Sequence, residues 1–307
     1  MLQNLSGISV VFLAGEQSLQ KQMAITQQQI STGVRIGKPS DSPGDVADVL
    51  QLESQLGQVN RVISNLGQAT GEVNTAESAL NSATQLIDQV TSLGEQGANS
   101  TVSATERTAL SKNVQDLLSQ FVSLSNTQFD GKYVFGGDDP TQAAYQVNLN
   151  NPNGVDRLNT APATHLIQDA NGTTFADSLS AQQIFDNRNP DDSLASNNVF
   201  AAVNSLRTAL ANNDTSGIQT ALASVQTASA YLSQQQAFYG NVQDEIQNAT
   251  TVAQNFQIQD SASISTLRDT NMAEASTNLT QEQTSLDAAI QAQAAIPRTS
   301  LFDFLNF

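Results

Sequence analysis

The sequence predicts a mainly α-helical protein: a long antiparallel coiled-coil-like helical bundle built from both chain ends, with a small β-rich domain inserted in the middle. Two proline-free stretches, 44–139 and 218–296, carry apolar residues at steps of three and four. That spacing places a narrow apolar stripe on one side of a helix, which requires a partner helix. Between them, residues 131–195 hold four of the seven prolines and are predicted to be the insertion.

The first helix is predicted over residues 1–34, where the apolar stripe is weak. Residues 33–45 contain three glycines and two prolines, which end it. Ser42 supplies an N-cap oxygen, Pro43 fits the first helical position, and Asp45 lies near the positive end of a second helix. The stripe of this second helix has the same period as residues 218–256, which makes the two stretches natural partners.

A capping-box spacing predicts the start of a third helix. Ser103 and Glu106 stand three residues apart, and the helix that follows is expected to end before Gly131. In the insertion, residues 132–135 are predicted to be a short strand. Tyr145 and Val147 alternate with polar residues before the turn at 150–154. Phe175 and Phe185 are expected in a minor core of the insertion.

Helix is predicted to return near Asn198 and, after a break at 212–214, to restart at a second capping box formed by Ser216 and Gln219. The stripe loses register after Phe256, which suggests a joint between two modules. Pro297 stops or kinks the last helix before an apolar, aromatic tail. We therefore expect a terminal domain of 1–40 with 261–307, a bundle domain of 41–130 with 198–260, and an insertion at 131–197.

Composition argues against several partners. The net charge is −17 and the 12 basic residues are scattered, so nucleic acid and membrane surfaces are not expected to bind. Only 13% of residues are charged, and a surface of Gln, Asn, Ser and Thr can pack against copies of itself without heavy charge desolvation. The chain has no cysteine, no apolar window long enough for a membrane span, and no secretory signal pattern, which on ordinary rules indicates the cytoplasm.

No catalytic, cofactor or metal site is predicted. His165 is the only histidine and is expected to be a surface residue. Residues 138–139 and 191–192 are pairs of aspartates that flank the insertion. Their spacing matches no calcium-binding loop, so they are interpreted as solvent-exposed residues rather than as a cation site. The glycines at 131, 136 and 137 do not precede the Lys-Ser/Thr of a phosphate loop.

Four segments resemble the flagellin superfamily. Residues 31–43 are similar to the motif between its first two helices, and residues 126–137 to the segment that opens the outer domain. Residues 269–274 and 300–305 also fit that family. The Tyr133-Val134-Phe135 core of the second segment is closer to the hook-associated protein 3 branch than to flagellin. The motif positions at the helix break are Ser31, Gly33, Arg35, Ile36, Pro39, Ser40, Asp41 and Pro43.

The resemblance implies a non-catalytic structural subunit of the bacterial flagellum that joins hook to filament. It implies export through the flagellar type III channel without a cleaved signal, hence an extracellular location. The implied partners are copies of itself, the adjacent hook-associated protein and flagellin, and a cytosolic export chaperone on the C-terminal helix. We expect the 46–127 and 198–256 stripes to be core within the subunit, and those of 1–34 and 264–307 to lie between subunits. The expected assembly contacts are Leu19, Met23, Ile30, Leu279, Leu286, Ile290, Leu301 and Phe304.

The alternatives to this function are a flagellin, an enzyme and a cytosolic coiled-coil scaffold. Flagellin shares the helices, but the short outer domain and residues 133–135 speak against it. An enzyme would need a nucleophile–base or cofactor pattern that the sequence does not show. A cytosolic coiled-coil scaffold would be found only inside cells.

Overall fold

The protein is mainly α-helical, as predicted, with three small β-hairpins in the middle of the chain. A computed structural model describes residues 2–295. The helices are α1 (Leu2–Thr32), α2 (Pro43–Ala98), α3 (Ala104–Ser125), α4 (Ala181–Phe185), α5 (Val199–Ala211), α6 (Thr215–Arg268) and α7 (Met272–Ala295). The strands are β1 (Gln128–Phe129), β2 (Lys132–Tyr133), β3 (Tyr145–Val147), β4 (Val155–Arg157), β5 (Leu166–Gln168) and β6 (Thr174–Ala176).

The chain divides into two compact units, residues 1–57 with 257–307 and residues 58–256. The second boundary, between Phe256 and Gln257, falls where the apolar stripe changes register. Residues 131–197 lie within the larger unit, together with the helices on either side of them in sequence.

Within the larger unit, α2 and α6 run antiparallel, as the shared period predicts. Gln236 donates to Asn81 at 2.7 Å, and Gln243 donates to Asn74 at 2.8 Å and to Glu77 at 2.6 Å. The stripe residues of both helices are fully buried in one continuous core: Leu66, Leu80, Ile87, Val225 and Leu232.

Local capping chemistry sets most of the helix starts. The capping box at Ser103 and Glu106 is confirmed, and α2 begins at Pro43 as predicted. The box at Ser216 and Gln219 is wrong. The α6 helix begins at Thr215 instead, and the carboxylate of Asp214 accepts from the backbone nitrogen of Gly217 at 2.9 Å. An aspartate three residues before Gly217 competes successfully for the same free N–H groups.

The long C-terminal stretch is not one helix. The α6 helix continues through the change of register after Phe256 and ends at Arg268, and α7 begins at Met272. The break depends on hydrogen bonds to residues near the other end of the chain, which no local pattern reveals.

The middle of the chain has three antiparallel hairpins, β1–β2, β3–β4 and β5–β6, the first of which begins just before the predicted insertion. Phe175 and Phe185 do not form a minor core: they pack with the core that the helices share. The ring of Phe135 lies 5.8 Å from that of Phe185 and 6.3 Å from that of Tyr239 on α6, measured between centroids. The segment after β2 and the helix α4 are therefore held on the bundle by aromatic contacts.

A buried carboxylate organises the polar part of this core. Asp186 is fully buried and accepts from the hydroxyl of Tyr145 at 3.1 Å, Arg188 Nε at 2.9 Å, Asn153 at 3.0 Å and Asn198 at 2.7 Å. Burial, reinforced by the Asp186 charge, raises the pKa of Tyr145, so its hydroxyl keeps the proton that it donates. The charge is thus fully hydrogen-bonded, as a buried ion requires.

Gly137 should be indispensable for the insertion, whereas Gly67 should not. Gly137 has φ +62°, and a Cβ there would lie 2.5 Å from the carbonyl oxygen of Pro162. We expect Gly137→Ala to lower the free energy of unfolding by about 2 kcal/mol or more. Gly67 lies inside α2 with open space around it, so Gly67→Ala should raise that free energy by roughly 0.5–1 kcal/mol. Urea unfolding measures both, and equal effects would contradict the packing described here.

Candidate functional site

The candidate site is the helix break where residues from both chain ends meet, here called the break junction: residues 31–45 and 267–271. The α1 helix ends at Thr32, and Gly33 follows with φ +72°. Its backbone nitrogen still donates to the carbonyl of Gln29 at 2.8 Å. A left-handed residue after the last helical position is the usual role of glycine at a helix C-terminus.

Backbone hydrogen bonds join the two segments of the break junction. Thr270 donates to the carbonyl of Gly33 at 2.8 Å, and Arg35 donates to the carbonyl of Arg268 at 2.7 Å. Val34 and Asp269 form an antiparallel β-bridge between them. Two of the four resembling segments, 31–43 and 269–274, therefore lie directly against each other.

Arg35 connects this bridge to the start of α2. Its guanidinium donates to the carboxylate of Asp45 at 3.1 Å and also to the carbonyl of Leu267. The hydroxyl of Ser42 donates to the same Asp45 oxygen at 2.9 Å. The Ser42 hydrogen bond first, and Arg35 second, hold the pKa of Asp45 below its ordinary value of 3.8.

Asp41 closes the loop between the helices. Its carboxylate accepts from the backbone nitrogens of Gly37 at 3.0 Å and Lys38 at 2.7 Å. Ile36 is buried beneath the loop at 7% exposure, whereas Ser31, Pro39, Ser40 and Pro43 are exposed. The motif thus contains residues that build the junction and residues that face outward from it.

Two polar contacts at this end of the molecule were not predicted. Arg268 donates to the carboxylate of Glu53 at 3.1 Å, and the hydroxyl of Thr26, which is buried, donates to Glu282 at 3.1 Å. Single polar residues on long Gln-rich helices carry no periodic signal, so sequence reasoning had no means of pairing them.

The residues expected at assembly contacts lie on α1 and α7, which pack against each other antiparallel within the subunit. This pairing only half-buries the following side chains: Leu19, Met23, Ile30, Leu279 and Leu286. Ile290 is 47% exposed. Leu301 and Phe304 lie outside the described residues.

Further apolar side chains on α1, which the sequence did not predict as contacts, are exposed to solvent. Val10, Val11, Leu13 and Ile25 are 65%, 73%, 50% and 47% exposed. They lie on α1, the helix that also carries three of the expected assembly contacts, Leu19, Met23 and Ile30.

The other candidates show ordinary surface chemistry. His165 has a 69% exposed side chain, and its Nδ1 lies 3.2 Å from Asp177. Among the acidic pairs, Asp138 accepts from Thr164, and Asp192 pairs with Arg157 at 3.2 Å. Within residues 2–295, three or more His, Asp or Glu side chains nowhere gather as metal ligands would. None of the helices described between residues 2 and 295 contains an apolar stretch of membrane-spanning length.

Comparison with known families agrees with this arrangement. The family described as the bacterial flagellin N-terminal helical region matches residues 7–139, and the bacterial flagellin C-terminal helical region matches residues 222–305. The break junction joins a segment from each of these two regions.

Individual relatives differ in how much of their length is matched. Flagellin B of Helicobacter pylori is 27% identical over 118 residues, which are 38% of this chain but only 23% of that protein. Flagellar hook-associated protein 3 of Escherichia coli is 23% identical over 296 residues, 90% of each chain.

A solved structure shows the same fold. It is the flagellar junction protein FlgL from Legionella pneumophila, with a TM-score of 0.57 and 13% identity, covering 72% of this chain and 99% of that one. Together, the two family regions match most of the sequence, at both of its ends. The chain therefore belongs to the flagellin family, as a non-catalytic structural protein of the flagellum.

Proposed function

We propose that this subunit joins the flagellar hook to the filament, through repeated contacts with copies of itself and with its axial neighbours. The observation that carries the proposal is length: the chain aligns with a hook-associated protein 3 along nearly its whole extent, but with only a quarter of Flagellin B. The match leaves about three quarters of Flagellin B without an aligned counterpart, whereas the middle of this chain holds three short hairpins.

The proposed partners follow from this role. They are a ring of identical subunits, the adjacent hook-associated protein on one side and flagellin on the other, and a cytosolic export chaperone on the C-terminal helix. Neither nucleic acid nor a membrane is among them. The proposed location of the assembled protein is extracellular, after export without a cleaved signal peptide.

Self-assembly is proposed to use the apolar side chains that α1 and α7 leave uncovered. Each half-exposed Leu, Met or Ile that becomes buried between subunits contributes roughly 1 kcal/mol. The surrounding surface is mostly uncharged, so close approach of copies costs little desolvation of ions. The predicted contacts at Leu301 and Phe304 are part of the same proposal.

Flagellin is the second candidate, favoured by the family regions that match and by the relatives named flagellin. A strain that lacks this chain separates the two functions. Loss of a junction subunit leaves filament protein secreted as monomers into the medium, whereas loss of flagellin removes that protein altogether. Absence of filament protein from the medium would overturn the junction role.

The exposed Ile290 provides a test of the assembly surface. We expect Ile290→Asp to abolish incorporation into the flagellum, because a carboxylate would have to be buried between subunits. The monomer should fold normally, since the side chain is half exposed in it. Leu166→Asp, at a 53% exposed leucine of the other unit, is the matched control and should assemble. Normal swimming of the Ile290→Asp strain would count against this surface.

The break junction should loosen in acid. Because the pKa of Asp45 is lowered, its stabilising effect is complete above the ordinary value of 3.8 and is lost as the pH falls below it. Amide-exchange protection at Arg35, Ile36 and Thr270 should therefore decrease in that range. Asp45→Asn should remove this dependence.

A second lowered carboxylate serves as the internal control. Hydrogen bonds from Ser103 lower the pKa of Glu106, so the start of α3 should respond to acid in both proteins. Identical acid responses of Arg35 and Thr270 amides in the wild type and in Asp45→Asn would show that Asp45 does not hold the junction.

A further inference from the structure

Two Asn-Gly pairs occur in the sequence, Asn153-Gly154 and Asn171-Gly172. An asparagine before glycine is chemically vulnerable, because the glycine has no Cβ to shield its backbone nitrogen from the neighbouring side-chain amide. The structure places the two pairs in opposite environments.

Asn171 lies at the tip of the β5–β6 hairpin, where it and Gly172 are exposed. Gly172 has φ +88°, and its backbone nitrogen donates to the carbonyl of Asp169 at 3.2 Å, the long limit for such a bond. The side-chain amide of Asn171 makes no hydrogen bond within the described chain. It is therefore free to turn toward the nitrogen of Gly172.

Asn153 is held in place. It is 3% exposed, and its side-chain nitrogen donates to buried Asp186 at 3.0 Å. The backbone nitrogen of Gly154 donates to the carbonyl of Asn151 at 2.9 Å, and a Cβ on Gly154 would lie 2.8 Å from Leu118. Reaction at this pair would require the buried polar network to open first.

We propose that Asn171 is a site of spontaneous deamidation in the folded subunit, and that Asn153 is protected from the same reaction. The backbone nitrogen of Gly172 attacks Cγ of Asn171 and forms a new C–N bond. The Cγ–Nδ2 bond breaks, and ammonia leaves with the proton that the Gly172 nitrogen loses. Water then opens the resulting succinimide at either carbonyl, which gives aspartate or isoaspartate.

The product changes the hairpin. A carboxylate replaces a neutral amide close to Asp169, whose own carboxylate accepts from the backbone nitrogens of Asn171 at 2.9 Å and Thr173 at 2.8 Å. Isoaspartate also inserts a methylene into the main chain of a loop closed by the bond from Asp169 to the Thr173 carbonyl at 2.9 Å. The modified loop directly follows β5, and β5 lines a groove of about 740 Å³ beside α2.

The test is to incubate the purified folded protein in neutral and mildly alkaline buffer and to follow both pairs by peptide mass spectrometry. Isoaspartyl methyltransferase labelling identifies the isoaspartate product. We expect Asn171 to react at least about tenfold faster than Asn153, since reaction at Asn153 needs an opening step. The rate should increase with pH because the attacking nitrogen must lose its proton, and Asn171→Gln should abolish the signal.

The same protein unfolded in urea is the control. There the two pairs should react at similar rates, which would assign the difference to the fold. Equal rates in the folded protein, or a folded-state preference that survives unfolding, would overturn the proposal.

Discussion

The compact unit that contains α1 and α7 depends on hydrogen bonds between backbone groups from opposite ends of the sequence. Gly33 and Arg35 exchange them with Thr270 and Arg268, and Ile36 adds a third donor. Each contributes about 1 kcal/mol net, but their geometric effect is larger, because they end α1 and separate α6 from α7 at the same place. The antiparallel pairing of α1 with α7 begins from this fixed point.

The break junction also explains why α1 and α7 remain paired although their apolar stripes are weak. The α1 and α7 helices only half-bury most of their apolar residues. Burial therefore stabilises them less than the α2–α6 pair, in which Leu66, Leu80, Ile87, Val225 and Leu232 are fully buried. Polar bonds such as the one from Thr26 to Glu282 fix the register of the two helices. A subunit built in this way keeps apolar surface available for neighbours, as an assembling protein requires.

Much of the fold follows from local patterns. The spacing of apolar residues predicted α2 and α6. The Ser103–Glu106 capping box and Pro43 predicted the starts of α3 and α2, because a helix start depends on residues only a few positions apart. The break at 269–271 was not predicted, since it depends on acceptors and donors from residues 33–36. The Asp186 network was also missed: four partners spread over more than fifty positions have no sequence signal. The resemblance to the flagellin superfamily located the two segments of the break junction, 31–43 and 269–274. Their direct contact was visible only in the structure.

Linking the two chain ends in the assembled flagellum is the most direct test of the pairing of α1 with α7 within the subunit. The chain has no cysteine, so Thr26→Cys with Glu282→Cys introduces a single pair at positions whose side chains are hydrogen-bonded. Oxidation of intact appendages should give a disulfide within one chain, seen as a peptide joining both segments from monomeric protein. Only unlinked chains, or links only between chains, would contradict the pairing of α1 with α7 within the subunit.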